Sequence, residues 1–170
     1  MSVAAVEVPV PAEVGELHLL DRIDYEDAWA VDTTITQSPE QWIRAFAEDA
    51  PRWFQLPWLS VAKVMFGAQF GPLFTSLDHV VGWRVLENRP DLFTIGLDSS
   101  GGLSARVVAL TPPGQAMIAT QIDLSTVYAR TLWSLIRPGH RYFVPYLLAR
   151  AATSGPRRTD HADPRQSQKP

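Results

Sequence analysis

The chain has no cysteine, which excludes a disulfide framework and thiolate metal sites. A bridge-stapled secreted scaffold is therefore not expected, and a reducing cytoplasm suits the composition. Charge is also scarce: 19% of the 170 residues are charged, against about 25% in soluble proteins. The 15 basic and 18 acidic side chains leave a formal net charge of -3, so no positive field is available to hold a phosphate backbone. Nucleic acid is not an expected partner. No run of about 18 uncharged apolar residues occurs, and the N-terminus lacks a basic stretch followed by an apolar block, so neither a membrane span nor a signal peptide is expected. What is plentiful is apolar surface: 46% hydrophobic residues, with 6 Trp, 7 Phe and 4 Tyr, enough for one core in one domain.

Residues 1–23 carry Pro9 and Pro11 among acids (Glu7, Glu13, Glu16, Asp21) and read as an extended lead-in rather than a helix. Residues 154–170 are almost wholly polar and read as a disordered tail. The domain is expected over 24–153. Its first segment, Tyr25 to Thr36, mixes aromatic, β-branched and threonine residues as strands do. Ser38, Pro39 and Gln41 then form a helix start with a capping box. Asp49, Ala50 and Pro51 repeat that signal ahead of a second helical stretch through Phe70, which Pro57 is expected to bend or split.

From Val80 the apolar period changes to two. It describes four strands near 81–86, 93–97, Leu103–Leu110 and Ala116–Thr126, joined by short turns as an antiparallel meander, and so about five strands in all. From Thr126 to Ala152 a stripe of Leu132, Leu135, Ile136, Phe143, Tyr146 and Leu147 recurs at helical spacing, with Arg130, Ser134, Arg137 and Arg141 opposite. Pro138 predicts a kink there. A sheet with one apolar face needs a cover, and only this long helix can lie across it. If the sheet curves round the helix, a concave apolar cavity forms between them.

This α+β order resembles the helix-grip fold, a curved antiparallel sheet wrapped around a long C-terminal helix with two helical stretches after the first strand. That is the fold of the START and birch-pollen-allergen superfamily, also called SRPBCC, which includes lipid carriers and polyketide cyclases. More narrowly, Asp24-Tyr25-Glu26-Asp27-Ala28, Asp49-Ala50-Pro51-Arg52-Trp53, Gly82-Trp83-Arg84-Val85-Leu86 and Arg137-Pro138-Gly139-His140-Arg141 resemble an uncharacterised bacterial domain family assigned to that superfamily. The resemblance implies a fold and a hydrophobic ligand class, with no established mechanism.

Among the four histidines no His-x-x-x-His or His-Glu-x-x-His spacing occurs, so no metal site is expected. His18 and His161 fall in the lead-in and tail. His140 sits at the edge of the last helix's stripe, where an imidazole can serve a cavity as acid, base or oriented donor. The plainer alternative is a core histidine bonded to a carbonyl freed by Pro138. Asp78 and His79 are adjacent but carry little signal. Arg84, Arg106 and Asp123 are charged residues within strands that face solvent on the simplest reading; if Arg106 or Asp123 points inward, it marks a site. His140, Asp123 and Arg106 are accordingly the candidate catalytic residues.

Ser99, Ser100, Ser104 and Ser125 stand in no Gly-x-Ser-x-Gly elbow, and no glycine-rich loop leads from strand to helix to cradle phosphates. No cofactor is expected. Trp53, Phe54, Trp58, Phe66 and Phe70 gather where they would cap the mouth of a helix-grip cavity. The expected ligand-binding set is Trp58, Phe66, Phe70, Trp83, Phe93, Ile95, Ile118, Ile122, Trp133, Ile136 and Phe143. The first expectation is a cytoplasmic biosynthetic protein that encloses a polyketide- or lipid-like molecule, as a binder or as a cyclase acting by conformational control. Two alternatives are a cone-shaped α+β isomerase or cyclase, and a non-catalytic module binding a protein partner or a second copy of itself as a homodimer.

Overall fold

A computed structural model describes residues 4–73 and 76–154; of the expected disordered tail, Ser154 ends the last helix, and 155–170, His161 among them, lie outside the described residues. The element order is β1 (Val6–Val8), α1 (Ala12–Glu16), β2 (Tyr25–Asp32), α2 (Pro39–Glu48), α3 (Arg52–Phe66), β3 (His79–Val80), β4 (Trp83–Asn88), β5 (Leu92–Asp98), β6 (Leu103–Leu110), β7 (Gln115–Leu124) and α4 (Val127–Ser154). The strands form one seven-stranded sheet in the order β1-β2-β7-β6-β5-β4-β3, and every pairing is antiparallel. This is an α+β arrangement consistent with a helix grip. The long α4 leaves no place for the cone-shaped alternative.

Seven strands replace the expected five. The two additions are short edge strands, β1 and β3, whose two or three residues are too few to display a period. The segment ahead of β2 is also not simply extended. β1 pairs with β2, and α1 turns back so that Val14, fully buried, packs with Leu17 and Leu19 against Ala28, Val108 and Ala119 on the outer face of the sheet. Pro11, placed immediately before α1, ends the extended run without opposing the helix, because a first-turn N–H has no partner to lose.

The opposite, concave face carries α2, α3 and α4. Ser38 caps α2 as read from sequence, accepting from the Gln41 N–H at 3.2 Å while Gln41 Oε1 accepts from the Ser38 N–H at 2.9 Å. Trp42 and Ile43 are buried against Val31, Phe93, Ile95, Ile118, Val144 and Leu148. Arg44 holds the exposed side through Glu40 and Glu48, each at 2.9 Å, which supports one face of the helix.

The second start signal is displaced. Asp49 closes α2, and α3 begins after Pro51 without a side-chain cap. α3 then runs unbroken through Pro57, and α4 through Pro138 and Pro145, so none of the three prolines splits its helix. α3 ends on Gly67, whose φ of 65° is the left-handed conformation that glycine adopts without a Cβ penalty. The buried stripe of α4 is Ala129, Trp133, Val144, Leu147, Leu148, Ala151 and Ala152. Leu135 and Tyr146, expected inside, are 73% and 40% exposed; the stripe lies one flank over from the one drawn through them. Among the described residues no helix is long and apolar enough to cross a membrane.

Candidate functional site

The concave face is not filled evenly. Beyond the core built on Trp42, a cavity of about 570 Å³ remains between α3, the middle of α4 and the strands β4 to β7. α3 contributes Trp53, Phe54, Trp58, Val61, Ala62 and Phe66; the sheet contributes Trp83, Leu97, Leu103, Ala105, Val107, Thr120 and Ile122; α4 contributes Trp133, Ile136, His140, Phe143 and Leu147. A space of this size, walled by apolar groups with few polar points, is the form that small-molecule sites take. Aromatic contacts set its cover: Phe54 packs on Phe143 at 4.2 Å between ring centres, and Trp53 meets the same ring edge-on at 6.1 Å. The other end of α3 is joined to α4 by the Tyr128 hydroxyl, which donates to the Met65 carbonyl at 2.6 Å.

Of the expected ligand-binding residues, Trp58, Phe66, Trp83, Ile122, Trp133, Ile136 and Phe143 line the cavity. Phe93, Ile95 and Ile118 belong instead to the solid core under α2, and Phe70 packs beyond the end of α3 with Ala62, Ala68 and Leu97. Their strand positions have the right parity but fall at the filled end of the face.

The three candidate catalytic residues are not brought together. His140 lines the cavity, whereas Arg106 and Asp123 alternate with the lining residues Ala105, Val107 and Ile122 and so point to the opposite face of the sheet. Arg106 reaches Asp98 at 3.0 Å and crosses Gly96, where a Cβ would meet its side chain. Asp123 pairs with Arg22 at 2.7 Å. Both are structural ion pairs outside the cavity. Asp78 and His79 likewise make no pair: Arg44 donates to the His79 carbonyl, and His79 Nδ1 is buried without a partner among the described residues.

The partner of His140 is Asp27, a residue that the sequence reading passed over. His140 Nε2 lies 3.1 Å from Asp27 Oδ2, and the Asp27 side chain is fully buried. The same oxygen accepts from the Tyr25 hydroxyl at 2.6 Å and from the Trp29 indole N–H at 3.1 Å. Burial alone would raise the Asp27 pKa; the bonds from His140, Tyr25 and Trp29 outweigh it and hold the carboxyl below its ordinary range. Burial, followed by the bond to Asp27, pushes the Tyr25 phenol well above its ordinary range.

The bland expectation for His140, a carbonyl freed by Pro138, is therefore replaced by a carboxylate on the facing strand. A signal for Asp27 existed. Tyr25, Asp27 and Trp29 stand at alternate positions of one strand, so they share a face, and a carboxylate flanked there by two aromatic donors is placed to be buried. Among the described residues no group of three His, Asp or Glu side chains is placed to hold a metal.

No protein-family model and no curated protein matches the chain, so the narrower family resemblance rests on its quoted segments alone. Among solved structures the chain is similar to CalU16 from Micromonospora echinospora, at 12% identity and a TM-score of 0.38 over 92% of this chain and 86% of that one. A likeness of that size carries no inference about ligand or chemistry, and the helix-grip assignment stands on the chain's own sheet order and its long last helix.

Proposed function

We propose that the protein binds a bulky hydrophobic small molecule, polyketide- or lipid-like, in the cavity between α3, α4 and the sheet. The observation that carries this reading is the void itself. Protein interiors are close-packed and leave few spaces larger than a water molecule, yet about 570 Å³ stays open here beside a core that is solid. Its aromatic walls also suit a further role, holding a flexible chain in one reactive conformer so that cyclisation is favoured by shape. The interaction-module alternative has support in the outer side of α3, where Leu56 and Val64 are 65% and 80% exposed; a concentration-dependent mass in light scattering would favour it.

The test is to fill the cavity. Ala105→Trp places an indole in the space from a buried strand position. Native mass spectrometry of the freshly purified protein should show a co-purified apolar molecule that the variant, with unchanged circular dichroism, has lost. The same adduct on a folded Ala105→Trp variant would sink the reading.

A further inference from the structure

The His140–Asp27 pair defines which hydrophobic molecule the cavity suits, an inference that rests on the cavity being a ligand site. Asp27 is held ionised by its three donors, and an ionised carboxylate only accepts. The proton between the two residues must therefore sit on His140 Nε2. In the neutral ring this leaves Nδ1 as a bare acceptor, and among the described residues it has no hydrogen-bond partner. The ring is on the cavity wall with 9% of its side chain exposed, and among the described residues the lining holds no other ionisable side chain.

We propose that the ligand is an apolar molecule bearing one acidic hydroxyl, a phenol or an enol, and that His140 Nδ1 accepts the proton of that hydroxyl. The O–H bond breaks, an N–H bond forms at Nδ1, and the electron pair stays on the ligand oxygen as an oxyanion. The resulting imidazolium is held by the Asp27 carboxylate through Nε2–H, so Asp27 is a positioning residue and His140 the proton acceptor. Nothing else is consumed.

A second observation agrees. Trp133 lines the same cavity with its ring 5.3 Å from that of His140, and its indole N–H is buried without a partner among the described residues. An oxyanion beside His140 is the kind of acceptor that this donor lacks. One cation reaches the pair, and only through Tyr25. From β2 the groups facing His140 are Asp27 and the Tyr25 phenol, which donates to Asp27. On α4 the neighbouring Arg141 interacts with that phenol, pairs with Glu7 of β1 at 2.9 Å and lies over the Trp29 ring. The residues that α3 brings to the cavity are uncharged.

The experiment uses the full chain and two probes of nearly equal shape, 2-naphthol and 2-methoxynaphthalene, followed by fluorescence and absorbance from pH 5 to 9. The native protein should bind the naphthol roughly tenfold or more tightly than its methyl ether, the scale of one hydrogen bond with charge in it. The bound naphthol should show the naphtholate band at a lower pH than free naphthol does. His140→Phe should abolish both the preference and the band while still binding the ether. Asp27→Asn, if folded, should shift the pH at which the band appears and leave ether binding intact. Equal binding of the two probes by the native protein, without the band, would overturn the proposal and leave the cavity reading standing. Binding of neither probe would overturn both.

Discussion

One end of the concave sheet face is solid and the other is hollow, and the difference traces to two helices separated by Asp49, Ala50 and Pro51. α2 has a complete capping box, two fully buried large side chains and an arginine braced by two glutamates. α3 is half as long again, yet it has no side-chain cap and buries only Ala62 and Phe66 among its described residues. Its apolar groups are spread around the helix, some over the cavity, some, such as Leu56 and Val64, toward solvent, and Trp53 at the exposed rim between them. A helix that is apolar all round yet lies on the surface has been left without part of its partner. The first helix thus serves the fold, and the second covers a space the fold keeps open.

The largest effect should come from breaking the solid end. Trp42→Ala removes a side chain with 1% exposure from the core and should cost about 3–5 kcal/mol, read as a lowered midpoint in urea. Acid should act on the pair behind the cavity. Because the Asp27 carboxyl is lowered in the folded state from 3.8, its contribution is fully present above that pH and is lost as pH falls below it, through the folded value. Stability measured by denaturant midpoint should therefore fall on acidification in the native protein, and fall less steeply in Asp27→Asn. Next in size, Ser38→Ala deletes the cap of α2 and should cost about 1 kcal/mol by the same assay. Smallest of all, Trp53→Ser at the exposed rim of the cavity should change global stability by within about 0.5 kcal/mol while measurably reducing retention of an apolar probe. A Trp53→Ser loss as large as that of Trp42→Ala would erase the distinction between the two helices.

Much of this arrangement was legible in the sequence. The Ser38 capping box, the alternation from Trp83 to Leu124 and the helical run after Thr126 each rest on local chemistry, and each is found in place. The extra strands were not legible because Val6–Val8 and His79–Val80 are extended by pairing, with too few residues to show a pattern. The cavity residues were readable as apolar and inward by parity. Which end of the face would be filled was not, because Ile118 and Ile122 look alike in β7 and differ only in whether α2 or α3 lies above them. His140 was visible at the edge of its helix, but its partner lies 113 residues away, a separation that only the pairing of β2 into the sheet beneath α4 closes.

The seating of Gly67 fixes one end of the cover against the turn before β6. At the fixed end the Gly101 N–H donates to the Phe66 carbonyl at 2.8 Å, the Ser100 N–H donates to Gly67, and a Cβ at Gly101 would strike the Phe66 carbonyl oxygen 2.6 Å away. At the other end Gln55 Nε2 donates to the Ala47 and Glu48 carbonyls at 2.6 and 3.3 Å and so ties α3 to α2, while ring contacts join Trp53 and Phe54 to Phe143 of α4. A rod of 15 residues, about 22 Å long, held at both ends leaves the ring seam between α3 and α4 as the doorway and the apolar corner of Phe66, Leu103 and Ala129 as the blind end. His140 stands one helical turn before Phe143, beside that doorway. A guest would thus go in greasy end first and leave its hydroxyl at the threshold, where the proton it gives up has the shortest path back to water.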